Sequence, residues 1–226
     1  MKKKALLSAM GLSLIAAVAS AHADGLTYDV GANVGTLGIG PQVGVVIVPD
    51  QFALRLNTGF LSFNQNKSSN GIDYAGSMSL KNASLFADYH PYSGAFRLTA
   101  GLALDDNSIS LSGTPTAGQT YTLNGTSYTA SANDHANASV AFNKMAPYLG
   151  IGFGSASSDS GLHFTSDFGL MYMGAPMASL SITTSNPSVQ SAANQYAATE
   201  LDKLNTAMNR FKWYPVAQIG AIYRFK

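Results

Sequence analysis

The chain has no cysteine in its 226 residues. That absence excludes a disulfide framework and a lipid-modified N-terminal cysteine. Charge is also scarce: Asp, Glu, Lys and Arg make up 11% of the residues, against about 25% in an ordinary soluble domain. No basic block follows the first few residues, so nucleic acid is not expected as a partner. Beyond residue 23 there is no apolar run of the roughly 18 or more residues that a membrane-spanning helix requires.

What is present begins with export. The opening MKKKALLSAMGLSLIAAVASAHA sets three lysines before an apolar run that ends in Ala21-His22-Ala23. This is the layout of a secretory signal peptide over residues 1–23, with cleavage expected before Asp24. Its removal takes three of the 13 Lys and Arg and none of the 12 Asp and Glu, leaving a mature net charge of −2 over residues 24–226. An exported chain with few charges, no spanning helix and many aromatics is read as a membrane β-barrel.

Strict alternation supports this reading. In FALRLNTGF, Phe52, Leu54, Leu56 and Phe60 oppose Arg55 and Asn57. In LKNASLFADYH, Ala83, Leu85, Ala87 and Tyr89 oppose Asn82, Ser84 and Asp88. Similar runs near residues 26–35, 42–48, 96–104, 146–154, 162–172 and 214–225 bring the expected total to eight strands. After a first hairpin placed at GIGP, tight connections (PDQ, PYSG, SASSDSG) alternate with long ones at 64–72, 113–137 and 174–210. Short turns at one end and long loops at the other are the outer-membrane arrangement. The fold class is therefore all-β, a transmembrane up-and-down antiparallel barrel of eight strands, with both termini on the periplasmic side. Within loop 113–137, Asn124-Gly125 predicts a hairpin placing Tyr121 opposite Tyr128, as an extension of strands five and six. Within loop 174–210, Val189, Ala193, Tyr196, Leu204 and Met208 recur at helical spacing after Pro187, predicting a helix whose apolar stripe caps the barrel mouth.

The end of the chain carries a further pattern. Gln218-x-Gly220-x-x-Tyr223-x-Phe225 resembles the C-terminal signal read by the barrel assembly machinery, with Lys226 one residue beyond it. Tyr223 and Phe225 suit a lower interfacial belt, and Phe211, Trp213 and Tyr214 an upper one. Together with GTLGIGPQVG, LFADYHPYSGAFRLTAGL, APYLGIGFG and YPVAQIGAIYRF, these segments resemble a family of small proteobacterial outer-membrane barrels without an assigned activity, of OmpA/Opa-like architecture. The resemblance implies location in the outer membrane, with membrane lipid around the barrel. It carries no functional residue over.

An eight-stranded barrel is just wide enough for side chains to fill. The inward positions hold Asp29, Arg55, Asp88, Arg97, His163 and Asp167, and also Asn33, Asn57, Asp105, Tyr148, Gln218 and Arg224. Arithmetic around a turn at Tyr92/Ser93 sets Asp88 opposite Arg97. These groups are read as a polar plug that pairs its buried charges. The expected role is structural or surface-interacting, with loops 113–137 and 174–210 as candidate partner surfaces. The alternatives are a narrow pore for small solutes and a lipid A-modifying enzyme. For the enzyme, His163, Thr165 and Asp167 share a face, but neighbours two apart on a strand stand about 6–7 Å apart, too far for a triad. No catalytic, cofactor-binding or metal-ligating residues are expected.

Overall fold

The computed structural model describes residues 26–123 and 125–225; the expected signal peptide, Asn124 and Lys226 lie outside them. Alternating β-branched, aromatic and leucine residues dictate extended segments, and each finds its neighbour through an antiparallel ladder. The strands are β1 (Thr27–Gly35), β2 (Gly38–Val48), β3 (Phe52–Ser69), β4 (Ile72–Tyr89), β5 (Phe96–Asp105), β6 (Ser108–Pro115), β7 (Thr120–Leu123), β8 (Thr126–Thr129), β9 (His135–Ala141), β10 (Met145–Phe153), β11 (Gly161–Tyr172), β12 (Met177–Thr183) and β13 (Trp213–Phe225). One helix, α1, covers Pro187–Met208.

Eight of these strands close a ring in the order β1-β2-β3-β4-β5-β10-β11-β13, and β13 pairs back onto β1. Closure leaves the ring without an open edge, the only way a sheet can satisfy its backbone in lipid. The turns after β2, β4 and β10 lie at one end with both ends of the described chain, here called the lower end.

Several connections differ from the sequence reading. The first hairpin turns at Thr36-Leu37, and GIGP lies within β2. Residues 64–72 are not a loop, because β3 and β4 continue as a ladder up to Ser69↔Ile72. The segment 113–137 does not extend strands five and six. The chain leaves β5 at Asp106-Asn107, where the Asn107 side chain bonds Asp105 and Lys81, and β6 then pairs with the upper half of β4. β9 pairs with β6 and β12 with β9, so the upper halves of β3 and β4 anchor a five-stranded extension above the ring. The small β7–β8 hairpin places Tyr121 opposite Tyr128 with ring centroids 6.2 Å apart.

At the junction the chemistry of the wall inverts. In the ring, the outward face of β3 and β4 carries Leu54, Leu56, Leu85 and Ala87, and the inward face Arg55, Asn57, Ser84 and Asp88. Above the Phe60↔Lys81 pair the same two faces exchange character. The outward parity now holds Ser62, Asn64, Ser77 and Ser79, continuing across Ser110, Ser139 and Ser179. The inward parity holds Leu61, Phe63, Met78, Ile109, Val140 and Leu180. Strand periodicity of two makes the switch unambiguous: below it the outer wall is apolar, above it the outer wall is hydroxyl- and amide-covered.

Aromatic side chains bracket the apolar band. Phe52–Tyr89, Phe96–Phe153 and Tyr28–Phe225 pack below, with centroids 4.9, 5.8 and 6.4 Å apart. Tyr172 and Trp213 pack above, 4.9 Å apart. Tyr214 does not join the upper belt; it turns inward and donates its hydroxyl to the Thr36 carbonyl at 2.6 Å.

The helix also departs from expectation. Asn186 caps its N-terminus and Pro187 starts it, while Val189, Ala193 and Ala197 are buried. It packs along β12 rather than over the barrel mouth, and its side chains bond backbone groups of that strand and of Thr184 just beyond it. Asn205 Oδ1 accepts from the Ala178 N–H at 3.0 Å, and Gln190 donates to the Ile182 carbonyl at 2.8 Å while accepting from the Thr184 N–H at 2.8 Å.

Asp134 ties the two excursions together by accepting from Ser131 N–H at 2.9 Å, Ser185 N–H at 2.7 Å and the Ser185 hydroxyl at 2.9 Å. Burial works against its charge, but those donors and neighbouring His135 hold its carboxyl below the usual carboxylate range. A depressed folded pKa stabilises above the unfolded value of about 3.9 and is lost as pH falls through the folded one. Amide exchange should therefore show segments 131–134 and 183–186 protected at neutral pH and opened in acid, and opened at both in Asp134→Asn.

Candidate functional site in the lumen

The lumen divides into two layers. The lower layer is a cluster of four charges on four strands: Arg55 on β3, Asp88 on β4, Arg97 on β5 and Asp167 on β11, each 3% exposed or less. Arg55 reaches across the lumen as a double fork. Its Nε and Nη2 bind Asp88, the latter at 3.0 Å, and its Nη1 and Nη2 bind Asp167 at 3.0 and 2.9 Å. Arg97 Nη2 donates to both oxygens of Asp167 at 3.0 Å, and its Nε stands 3.5 Å from Asp88 Oδ1. Thr99 adds a hydroxyl bond to Asp88 at 2.7 Å. Two positive and two negative charges thus cancel within one bonded group. Such fork-to-carboxylate contacts are what makes burial of four charges tolerable.

The ladder explains the geometry. Asp88 lies opposite Thr99 and not opposite Arg97, because the turn after β4 is centred one residue later than Tyr92/Ser93, with Tyr89 paired to Leu98. Arg97 meets Asp88 diagonally as a result. Arg97 and Asp167 both lie opposite Gly152. A Cβ there would come within 2.8 Å of Arg97 Nε and 3.0 Å of Asp167 Oδ1, so glycine makes the room in which the pair meets.

Asp29 stands outside this group. It pairs with Arg224 at 3.0 Å, and Arg224 also donates to the carbonyls of Ser155 and Ser157, binding the lower loop across the barrel floor. His163 lies apart at the lower rim, half-buried, with Nε2 3.1 Å from the Asp159 carbonyl. His90 is buried and bonds the Gly154 carbonyl at 2.8 Å through Nε2. Gln218 points inward and donates to Asn33 at 3.0 Å, while Tyr223 faces outward and Phe225 packs on Tyr28. Cβ placement at Gly220 meets the Ala32 carbonyl at 2.9 Å and Thr165 Oγ1 at 2.7 Å, so this glycine serves close packing of the wall.

The upper layer is apolar, which the sequence reading does not foresee. Leu37, Phe86, Ala103, Ala146, Tyr148, Met171, Met173 and Val216 form one buried cluster across the top of the ring. Phe86 packs against Tyr148 at 4.9 Å and lies over the Arg55 guanidinium at 5.4 Å, joining the two layers. One inward step further up from Arg55 and Phe86 sit Gln42, Asn57 and Ser84, cross-strand neighbours on β2, β3 and β4, buried and with no protein hydrogen-bond partner for their side chains. The signal for the apolar layer lies in the alternation itself: Phe86, Met171 and Val216 occupy inward positions where polar residues are expected.

The triad reading finds no contact. Asp167 is engaged by two arginines and His163 by a backbone carbonyl, and no hydrogen bond joins His163, Thr165 and Asp167.

No protein-family model matches the chain, and no curated protein sequence matches it. Among solved structures it is similar to CarO of Acinetobacter baumannii, with 23% identity over 87% of this chain and 97% of that one and a TM-score of 0.55. It is likewise similar to CarO2 of A. baumannii, with 24% identity over 89% and 100% and a TM-score of 0.56. A major outer membrane protein from Thermus thermophilus aligns at 16% identity over 89% and 100%, with a TM-score of 0.44. The two CarO likenesses show the fold, which is that of an outer-membrane β-barrel.

Proposed function

We propose that the protein is an outer-membrane barrel of the small proteobacterial kind whose lumen is closed, and whose role is structural or surface-interacting. The observation that carries this reading is the two-layer lumen: a bonded charge cluster below and a buried apolar cluster above, with side chains of 0–3% exposure throughout the two layers. The inverted wall supports the location, with the apolar band in lipid and the Ser- and Asn-covered extension in water outside the cell. The surface role falls to the extension, built from the upper halves of β3 and β4 and from segments 113–137 and 174–210. Against lipid A modification stands the engagement of His163 and Asp167 elsewhere.

The narrow-pore alternative has one observation in its favour. The unpartnered Gln42, Asn57 and Ser84 side chains make the middle of the lumen polar enough to hold water. A water path through the barrel would still have to cross the Phe86–Tyr148–Met171 layer.

The absence of native cysteine makes single-cysteine labelling a clean test. Ser77→Cys should react with a charged thiol reagent on intact cells, and Ser158→Cys only after the outer membrane is permeabilised. Ser84→Cys, at mid-lumen and 0% exposed, should react from neither side and become reactive on unfolding. The opposite pattern for the first two reverses the orientation, and fast labelling of folded Ser84→Cys opens the lumen.

The terminal pattern gives a separate expectation. Phe225→Ala should reduce assembled, heat-modifiable barrel in cells, and deleting Lys226 alone should do little. Wild-type assembly of Phe225→Ala would remove Gln218, Gly220, Tyr223 and Phe225 from the role of assembly signal.

A further inference from the structure

The five-stranded extension has two edges, and the protein treats them in opposite ways. At the β12 edge, α1 runs alongside and its Asn205 and Gln190 side chains take up the backbone groups of Ala178, Ile182 and Thr184. At the other edge, β2 stops pairing with β3 at Ile39↔Phe60, and Leu61–Ser69 continue upward bonded to β4 alone. Every residue from Leu61 to Ser69 is exposed, so no loop or helix among the described residues covers this edge. It spans nine residues, about 30 Å at the usual rise of a strand. The β3–β4 ladder is in continuous register, without bulge or proline over this stretch. A long, regular bare edge is the template on which another strand adds.

We infer that Leu61–Ser69 is a docking site for an extended strand of another polypeptide, with an acidic residue followed four and six positions later by apolar ones. The side chains set that pattern. Leu61 and Phe63, 45% and 55% exposed, lie on the apolar face of the extension, and Lys67 lies on the same parity. An antiparallel strand facing Lys67 with residue j faces Phe63 with j+4 and Leu61 with j+6. Opposite charge beside Lys67 and apolar contact beside Phe63 and Leu61 each favour the pair. The two apolar positions also extend a sheet face that already carries Met78, Ile109 and Val140.

A second copy of this chain does not fit the edge. Two barrels in one membrane are related by an axis along the membrane normal, so their β3 strands would run parallel and in register, with Lys67 against Lys67. Barrel strands tilted by roughly 35–45° would moreover cross at about twice that angle rather than pair.

The inference rests on the reading that the extension stands outside the membrane. Its test is made on the full chain in detergent micelles, so failure here leaves the cell-labelling test of location untouched. The probe is a fluorescent heptapeptide, Glu-Thr-Thr-Thr-Val-Thr-Val. Saturable binding is expected, with new amide-exchange protection confined to residues 61–69. Lys67→Glu should weaken it about threefold, in keeping with exposed cross-strand charge pairs, and a peptide with Lys in place of Glu should recover that loss. Phe63→Asp should weaken binding of both peptides while leaving the thermal transition of the barrel unchanged. No saturable binding, protection that maps elsewhere, indifference to both substitutions, or dimerisation through this edge would each overturn the proposal.

Discussion

Replacing Arg55 with alanine is expected to lower the stability of the micelle-held barrel by on the order of 3–5 kcal/mol, the usual consequence of breaking a fully buried ion pair. Arg55 is the only group of the cluster that forks onto both carboxylates. Without it, Asp88 and Asp167 face each other with Arg97 alone, and one negative charge is left buried and uncompensated. Arg97→Ala should destabilise less, since both carboxylates keep their forks to Arg55. The attribution is checked by a cycle: Arg55→Leu combined with Asp88→Leu leaves the neutral Arg97–Asp167 pair, and should destabilise far less than the sum of the single changes. Urea unfolding followed by heat-modifiable mobility reads all of these proteins. Additive losses would mean that the charges act singly rather than as one bonded group.

Truncating Phe86 to alanine is the second large expectation, at about 3–5 kcal/mol for a buried aromatic. Phe86 is 1% exposed and touches both layers, Tyr148 above and Arg55 below. Its removal takes a large aromatic side chain out of the apolar layer and opens the space between the charge cluster and the unpartnered Asn57 and Ser84 groups above it. The variant should therefore show two changes together, a lower urea midpoint and ion leakage absent from the wild type. Destabilisation without leakage would place the seal in Met171, Met173 and Val216 instead.

The ring of eight strands is legible in the sequence because lipid outside and side chains inside impose strict alternation, and the tight turns stand out against the longer connections. The inward set is legible for the same reason, down to Arg55, Asp88, Arg97 and Asp167. Their partners are not. Whether Asp88 lies opposite Arg97 depends on where the turn is centred, and placing it at Tyr92/Ser93 rather than one residue later misplaces the partner by two residues along the ladder. The apolar layer is hidden when every inward position is treated as polar, although Phe86, Met171 and Val216 break that pattern openly. The extension is hidden for a different reason. Alternation continues through Ile72–Leu80 and Ser108–Pro115 with its phase reversed, so strands of the opposite sidedness read as loops. The β4–β6 pairing that organises them joins residues far from any hairpin, and no local signal encodes it.

Steady-state conductance of the purified wild-type chain in planar bilayers tests the closed lumen most directly. The bonded charge cluster and the apolar layer above it predict a flat trace in molar potassium chloride, with steps appearing only when Phe86 is truncated. Reproducible wild-type conductance steps, unchanged in the Phe86→Ala protein, would contradict it.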